Sequence, residues 1–277
     1  MIEGVDYSWG RPGGQALAAA GKRFAIRYVP YPGAPAGKCL APQEMADLQA
    51  HGIAVALVFE STSGRARGGH DAGVQDGKWA LAGRASLGIA ADRPVYFAVD
   101  FNTTPNDYPV IDAYLRGAAE SIGASAVGVY GEAALVDRMK ALGSARWFWQ
   151  TYAWSAGAVS DAAHVLQYLN GQTINGASVD LCRAFTADFG QTPRPGPKPD
   201  APKRYRVRIS GGHEHPTWLY ADHSTGSARS GPVYSATVTA TRSMQSGAWW
   251  YRVLSASSSA WVGKWFQAQP WMEVSAL

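Results

Sequence analysis

The 277-residue sequence is poor in cysteine, in charged residues and in long apolar runs. Its two cysteines, Cys39 and Cys182, exclude a disulfide-built scaffold and fit no zinc-ligand spacing, so they are interpreted as unpaired thiols, with a single bridge as the alternative. No apolar stretch approaches the roughly 18 residues that a membrane helix requires. The first residues lack the basic start and apolar run of a signal peptide. We therefore expect that the protein does not insert into a membrane and that any export uses a route other than a signal peptide.

Charged residues make up only 17% of the chain, and the net charge of +4 is unevenly distributed. Residues 1–190 carry 15 Lys/Arg against 17 Asp/Glu, whereas residues 204–277 carry 7 against 3. A mildly basic C-terminal part favours anionic polymers such as cell-wall glycans. The excess is too small and too scattered to indicate a nucleic-acid partner.

Strand and helix patterns alternate along residues 1–190 and give about eight strands. This alternation predicts a (β/α)8 TIM-like barrel with abbreviated late helices, which would be the catalytic domain. Residues 191–203 form a Pro-rich linker, since five prolines occur within residues 192–202. Residues 204–277 have no helical period, show several short strands and hold six of the eleven tryptophans, which predicts a small all-β domain.

Four apolar segments in the predicted barrel end in a carboxylate, namely Asp6, Glu60, Asp100 and Asp180. The run Pro94–Asp100 is the clearest of them, because it reads as a strand buried on both faces. A carboxylate at the end of a buried strand loses hydration unless it is paired. Because the carboxyl ends of barrel strands meet at one mouth, we predict that the four acids form one site there.

Two carboxylates suit the cleavage of a glycosidic bond, because one donates a proton and the other stabilises an oxocarbenium-like centre. Glu60 has the longer side chain and is assigned as the general acid, with Asp100 as the second carboxylate. Asp6 and Asp180 would orient these groups or the substrate. In the alternative interpretation, some of the acids cap helices or pair with Arg27.

Other side chains on or after the strands are candidates for substrate binding, although barrel packing is an equally good interpretation for the aromatic ones. They are Arg27, Tyr28, Asn102, Tyr130, Trp149 and Tyr152. In the C-terminal part, some aromatic side chains must form the core and others are candidates for binding the cell wall. The wall-binding candidates are Trp218, Tyr220, Trp250 and Trp261. No cofactor or metal is predicted, because the spacing around His213 and His215 fits no strong metal pattern.

The first 190 residues resemble the glycoside-hydrolase-like domain family of actinobacteria and their phages. The matching segments are Gly4-Val5-Asp6, Arg27-Tyr28, Glu60, His70-Asp71-Ala72 and Tyr96–Phe101. The resemblance implies a relationship to muramidase-type barrel lysozymes, which carry Asp-x-Glu after the fourth strand with the Glu as the essential acid. Here the corresponding residues are Asp100-Phe101-Asn102, so either Glu60 takes over the role of the acid or the barrel only binds glycan.

Residues 204–277 resemble bacterial SH3-type wall-binding modules through Trp250-Tyr251-Arg252-Val253 and Trp261-Val262-Gly263. The combination resembles a phage endolysin or a virion-associated wall hydrolase. It implies a monomer that cleaves peptidoglycan and reaches the wall after release from the host cytoplasm or from the virion. The alternatives are a catalytically inactive wall-binding protein and a hydrolase of another wall polysaccharide.

Overall fold

The computed structural model describes residues 1–194 without interruption. After them it describes residues 204–209, 217–220, 229–233, 236–245, 248–256, 259–262, 264–269 and 272–276. The chain divides into two compact units, Met1–Pro195 and Gly196–Leu277. Most of the predicted linker, from residue 195 to residue 203, lies outside the described residues. Within the described ranges, no helix is both long and apolar enough to cross a membrane.

The first unit contains a closed barrel of eight strands, each paired with its neighbour in sequence and the last paired with the first. The strands are β1 (Ile2–Asp6), β2 (Phe24–Tyr28), β3 (Ala54–Phe59), β4 (Val95–Ala98), β5 (Val127–Gly131), β6 (Trp147–Thr151), β7 (Val165–Ile174) and β8 (Ala177–Ala184). The α-helices are α1 (Gly14–Ala19), α2 (Pro42–Ala50), α3 (Gly69–Ser86), α4 (Tyr108–Ile122) and α5 (Ala133–Leu142). Each α-helix follows one of the first five strands, and residues 143–194 contain none. The predicted TIM-like barrel with abbreviated late helices is therefore confirmed.

The last strand runs against both of its neighbours, because β8 is antiparallel to β7 and to β1. Only Asn175 and Gly176 connect β7 to β8, and both have positive φ, of 49° and 76°. A two-residue turn of this kind joins antiparallel strands, whereas a parallel crossover needs a dozen or more residues. The prediction that Asp180 ends a parallel strand is wrong, since Asp180 lies within β8. The reversed strand still brings it opposite Asp6 in the β1–β8 register.

The alternation of side chains along the strands separates an outer core from the barrel interior. On β4, Val95 and Phe97 pack in the outer core with residues of the surrounding helices. Tyr96 and Ala98 belong to the interior cluster. The same alternation, continued past the end of β4, brings Asp100 to the mouth of the barrel.

The segment after β8 packs against the barrel interior. Phe189 is buried in the interior cluster and lies 4.6 Å from Phe24, measured between ring centroids. The Tyr96 hydroxyl donates a hydrogen bond to the Phe189 carbonyl at 2.6 Å. Val55 and Thr192 exchange two backbone hydrogen bonds. The packing of this unit therefore extends past residue 190.

The second unit contains a seven-stranded antiparallel sheet in the order β11-β10-β14-β13-β12-β9-β15. Its strands are β9 (Arg204–Ile209), β10 (Thr217–Tyr220), β11 (Arg229–Val233), β12 (Ala236–Gln245), β13 (Ala248–Ser255), β14 (Trp265–Gln267) and β15 (Met272–Ala276). Val207, Val238, Val253 and Phe266 are among the buried residues of its core. The SH3-like assignment of this unit stays a prediction.

Candidate active site

The four predicted carboxylates line one cleft of about 140 Å³ at the mouth of the barrel, which we call the acidic cleft. It is lined by Asp6, Tyr28, Val58, Glu60, Ala98, Asp100, Tyr130, Trp149, Gln167, Asn170 and Asp180. All eight strands, or the residues just after them, contribute to this lining. The acids therefore share one electrostatic environment although they are distant in sequence.

Asp6 is buried at the base of the cleft and lies directly across the β1–β8 ladder from Asp180. Its Oδ2 accepts a hydrogen bond from the Cys182 thiol at 3.1 Å. Burial, and next the charge of Asp180, raise the pKa of Asp6 to about 7. Burial also raises the pKa of Asp180. This pair therefore retains a proton more readily than exposed carboxyl groups do.

The Gln167 side chain connects the two aspartates to the opposite wall of the barrel. Its Nε2 donates to Asp6 Oδ2 at 2.9 Å and to Asp180 Oδ2 at 3.3 Å. Its Oε1 accepts from the Tyr130 hydroxyl at 2.8 Å and from the Thr151 hydroxyl at 2.9 Å. With both ends of the amide occupied, Gln167 fixes the position of the aspartate pair.

Glu60 forms an ion pair with Lys38, whose Nζ lies 3.0 Å from Glu60 Oε2. The same Nζ donates to the Glu60 backbone carbonyl at 3.0 Å and stands 4.5 Å from the centre of the Tyr28 ring. Both partners of the ion pair are largely buried. The Glu60 side chain is thus held in a fixed orientation.

Asp100 differs from Glu60, because it makes no side-chain hydrogen bond or ion pair within the described part of the chain. Burial raises its pKa, and the charges of Glu60 and Asp180 add to the increase, while Lys38 opposes them. A carboxyl group with a raised pKa in a cleft is suited to donate a proton. The ion pairing of Glu60 and the raised pKa of Asp100 therefore favour Asp100 as the acid and Glu60 as the second carboxylate, the reverse of the roles assigned from the sequence.

Trp149 contributes to the lining of the acidic cleft. The side chain is buried, and its Nε1 has no nitrogen or oxygen partner within the described residues. Its ring packs 4.2 Å from that of Tyr130, measured between centroids. The Trp149 side chain donates to the Cys182 thiol, a contact that lowers the pKa of Cys182 against the effect of its burial.

Three of the predicted substrate-binding residues do not line the acidic cleft. Arg27 is fully buried and donates to Glu44 at 2.8 Å and 3.3 Å, as well as to backbone carbonyls, so it supports the structure instead of contacting substrate. Asn102 and Tyr152 are exposed and lie outside the cleft lining. Tyr28, Tyr130 and Trp149 do line it.

The predicted wall-binding residues are described only in part. Trp250 is buried, which does not suit an exposed binding platform, and Trp261 is half-buried and packs against the core of the second unit. Trp218 and Tyr220 lie on β10, and their side chains are outside the described part of the structure.

Sequence reasoning missed Gln167 and Lys38, because both make their key contacts with residues remote in the chain. The pattern of acids at strand ends also includes Glu132, directly after β5, yet this residue does not line the acidic cleft. It is buried and accepts the Thr103 backbone N–H at 3.0 Å and the Thr103 hydroxyl. A carboxylate after a strand is therefore not sufficient to identify a site residue.

Within the described ranges, no three or more His, Cys, Asp and Glu side chains are arranged to hold a metal ion. Cys39 and Cys182 are both free thiols. The chemistry that the cleft itself provides is that of carboxyl groups, one ion-paired and the others with raised pKa values.

Comparison with known structures finds related barrels. The crystal structure of the Mycobacterium tuberculosis Tat-secreted protein Rv2525c in complex with L-tartrate is 30% identical, with a TM-score of 0.65, over 69% of this chain and 98% of that chain. A B. stearothermophilus protein described as uncharacterized is 18% identical, with a TM-score of 0.51, over 66% of this chain and 96% of that chain. The latter likeness concerns the fold alone.

Sequence comparison finds the same mycobacterial protein, Rv2525c, which is named as a candidate peptidoglycan hydrolase. It is 30% identical over 198 residues, which are 68% of this chain and 82% of the relative. The family model for the Rv2525c-like, glycoside hydrolase-like domain matches residues 15–184. The chain belongs to the Rv2525c-like family of glycoside hydrolase-like domains.

Proposed function

We propose that this protein is a glycosidase that hydrolyses the glycan strands of bacterial peptidoglycan, with Asp100 as general acid and Glu60 as the second carboxylate. The observation that carries the proposal is the pairing, in one cleft, of an ion-paired carboxylate with a carboxyl group of raised pKa. This difference in environment is what glycoside hydrolysis requires of two acids.

In this mechanism, Asp100 gives its proton to the oxygen of the scissile glycosidic bond. Glu60, which is ion-paired with Lys38 at 3.0 Å, stabilises the positive charge that develops at the sugar, either directly or by activating water. Asp6 and Asp180, fixed by Gln167, would hold the substrate at the base of the cleft.

The departure from Asp-x-Glu at residue 102 is compatible with this assignment. Asn102 is exposed and does not line the acidic cleft, whereas Glu60 enters it from the neighbouring strand β3. The cleft therefore has two candidate reacting carboxylates without a glutamate at position 102. The peptidoglycan substrate is suggested by the mycobacterial relative, which is named as a candidate hydrolase of that polymer.

The test is the release of reducing ends from purified actinobacterial cell walls, with products identified by mass spectrometry. Asp100→Asn and Glu60→Gln are each expected to lower the rate by about 100-fold or more while the melting temperature stays close to that of the wild type. Asp161→Asn is the control, because Asp161 is an exposed aspartate that does not line the acidic cleft.

Wild-type activity in the Asp100→Asn variant would contradict the assignment of the acid. If the wild-type protein sediments with walls but releases no reducing ends at any pH, the alternative of an inactive glycan-binding protein is correct. Products that lack N-acetylated amino sugars would point to another wall polysaccharide.

A further inference from the structure

A second cleft, of about 340 Å³, adjoins the acidic cleft and shares three of its lining residues, Asp6, Tyr28 and Asp180. It extends from these residues to Trp9, and we call it the Trp9 cleft. Its volume is within the range of small-molecule binding sites. Because they share these residues, the two clefts lie side by side, as two sites for neighbouring units of one polymer would.

Trp9 lies on the loop after β1 and is 54% exposed. A single exposed apolar side chain is ordinary on a protein surface, but this one lines a cleft that leads to paired carboxyl groups. A flat indole ring provides a surface on which the C–H face of a sugar ring can stack, and the stacking is favourable because the ring face is electron-rich.

The loop that carries Trp9 is held in place before any ligand binds. The Arg11 guanidinium donates to the carbonyls of Gly10 at 2.6 Å, Gly37 at 2.7 Å and Cys39 at 2.9 Å. It also pairs with Glu44 at 2.7 Å. Because the loop is already ordered, binding on Trp9 would cost little conformational entropy.

The opposite wall of the Trp9 cleft is the β7–β8 hairpin, and it touches the same loop. A Cβ atom on Gly10 would lie only 2.7 Å from Ala177 Cβ, so the two backbones approach closely. The Asn175 side-chain amide donates to the Pro12 carbonyl at 2.9 Å. Both walls are therefore fixed relative to each other.

The described lining of the Trp9 cleft offers no cationic side chain to an anionic ligand. The residues described as lining it include Asp6 and Asp180 and neither lysine nor arginine. The Ser178 hydroxyl and the backbone of the hairpin supply neutral hydrogen-bonding groups. A neutral sugar is accommodated better than one that carries a free carboxylate.

We infer that the Trp9 cleft is a second sugar subsite, in which Trp9 stacks on a neutral N-acetylated hexosamine ring of the glycan whose neighbouring unit occupies the acidic cleft. This inference rests on the proposed function for the chemical class of the ligand. It assigns Trp9 a role in positioning substrate and none in bond cleavage.

The test is calorimetric titration of the full-length Asp100→Asn variant, in which turnover does not interfere with binding. The probe is a soluble tetrasaccharide of alternating N-acetylglucosamine and N-acetylmuramic acid whose lactyl carboxyls are amidated. Adding Trp9→Ala to this variant is expected to raise the dissociation constant at least ten-fold. Adding Trp9→Tyr is expected to keep the dissociation constant within about three-fold of that of the Asp100→Asn parent. The same tetrasaccharide with free lactyl carboxylates is expected to bind more weakly than the amidated one.

The matched control is Trp154→Ala, because Trp154 is 45% exposed and lines neither cleft. Equal affinity in the Trp9→Ala and Trp154→Ala variants would overturn the inference, as would failure of the parent variant to bind the tetrasaccharide.

The binding measurement does not depend on hydrolysis, so the subsite and the proposed function can fail separately. If the wild type releases no reducing ends but Trp9→Ala still loses affinity, the proposed function fails and the subsite stands. If walls are hydrolysed and Trp9→Ala changes neither the affinity nor KM, the subsite fails and the proposed function stands.

Discussion

Asp6 is a carboxyl group that the fold buries against a second aspartate, and this makes stability depend on pH. Its pKa of about 7 in the folded protein lies above the ordinary value of 3.8. As the pH rises through this interval, the unfolded chain releases the proton first and the folded protein retains it. The contribution of Asp6 to stability is therefore fully present below pH ~4 and is lost as the pH approaches and passes 7.

Asp6→Asn is expected to remove this dependence, because the amide is neutral at every pH and has a similar shape. Between pH 5 and pH 8, the free energy of unfolding of the wild type should fall relative to that of the variant. Over this interval the difference is about 3 kcal/mol, from about 1.4 kcal/mol for each pH unit between 5 and the folded pKa of about 7. Chemical denaturation at both pH values measures it. Parallel pH dependences in the two proteins would show that Asp6 titrates normally.

Lys38 controls the acidic cleft by its charge, and its removal should shift the pH dependence of activity. Lys38 lowers the pKa of Asp100, so Lys38→Met is expected to raise it further. If the protonated Asp100 is the active form, the alkaline limb of the kcat/KM profile moves to higher pH. Lys78→Met is the control, since Lys78 is exposed on α3. An unchanged limb, or a shift to lower pH, would contradict the assignment of Asp100 as the acid.

At the scale of the elements, helices α3 and α4 approach each other closely because glycines lie at their contact. A Cβ atom on Gly73 would stand 1.9 Å from the Tyr114 carbonyl oxygen. A Cβ atom on Gly117 would stand 2.1 Å from the His70 carbonyl oxygen. Both clashes involve backbone, so the helices would have to separate.

Gly73→Ala is therefore expected to destabilise the protein by about 1–3 kcal/mol through overpacking. This is opposite in sign to the usual effect of replacing glycine by alanine within a helix, which stabilises by about 0.5–1 kcal/mol. Gly64→Ala is the control, because a Cβ there meets nothing within 4 Å and its φ of −85° suits any residue. Urea denaturation should separate the two variants, and equal midpoints would show that the helices adapt.

The elements most faithfully predicted from the sequence are those whose patterns are local. The uninterrupted apolar run before Asp100 predicts a buried strand, and β4 spans Val95–Ala98. The direction of β8 was missed, although Asn175-Gly176 between two apolar segments is a strong hairpin signal. Strand alternation has the same period in both directions, so the pattern of β8 alone could not reveal its reversal.

The convergence of Asp6, Glu60, Asp100 and Asp180 in one cleft could be predicted because a barrel brings strand ends together. The individual environments of these four side chains could not be predicted. The Lys38–Glu60 pair depends on how the loop after β2 returns to the barrel mouth, which no local pattern encodes. For this reason side-chain length is the only distinction between Glu60 and Asp100 that the sequence offers, whereas in the structure they differ in ion pairing.

At the scale of the whole molecule, the second unit carries the basic excess, with 7 Lys/Arg against 3 Asp/Glu in residues 204–277. Arg206 and Arg208 are exposed on β9, on either side of the buried Val207, so they share one face of the sheet. Arg208 lies 3.8 Å from Glu273, an exposed pair that contributes little to stability. These arginines are therefore available to an anionic polymer.

If this unit tethers the barrel to the wall, combining Arg206→Ala with Arg208→Ala should weaken binding, because long-range electrostatic attraction is lost. The amount of full-length protein that sediments with purified walls at low salt should fall by at least about three-fold. Wild-type binding should decline as salt rises, and the double variant should show a shallower decline.

Arg116→Ala combined with Arg138→Ala changes the net charge equally at two exposed positions of the barrel unit and serves as the control. Activity of both double variants on a soluble glycan fragment should equal that of the wild type, since tethering raises only the local concentration of an insoluble substrate. Equal loss of sedimentation in the two double variants would mean that net charge, and not the β9 face, governs attachment.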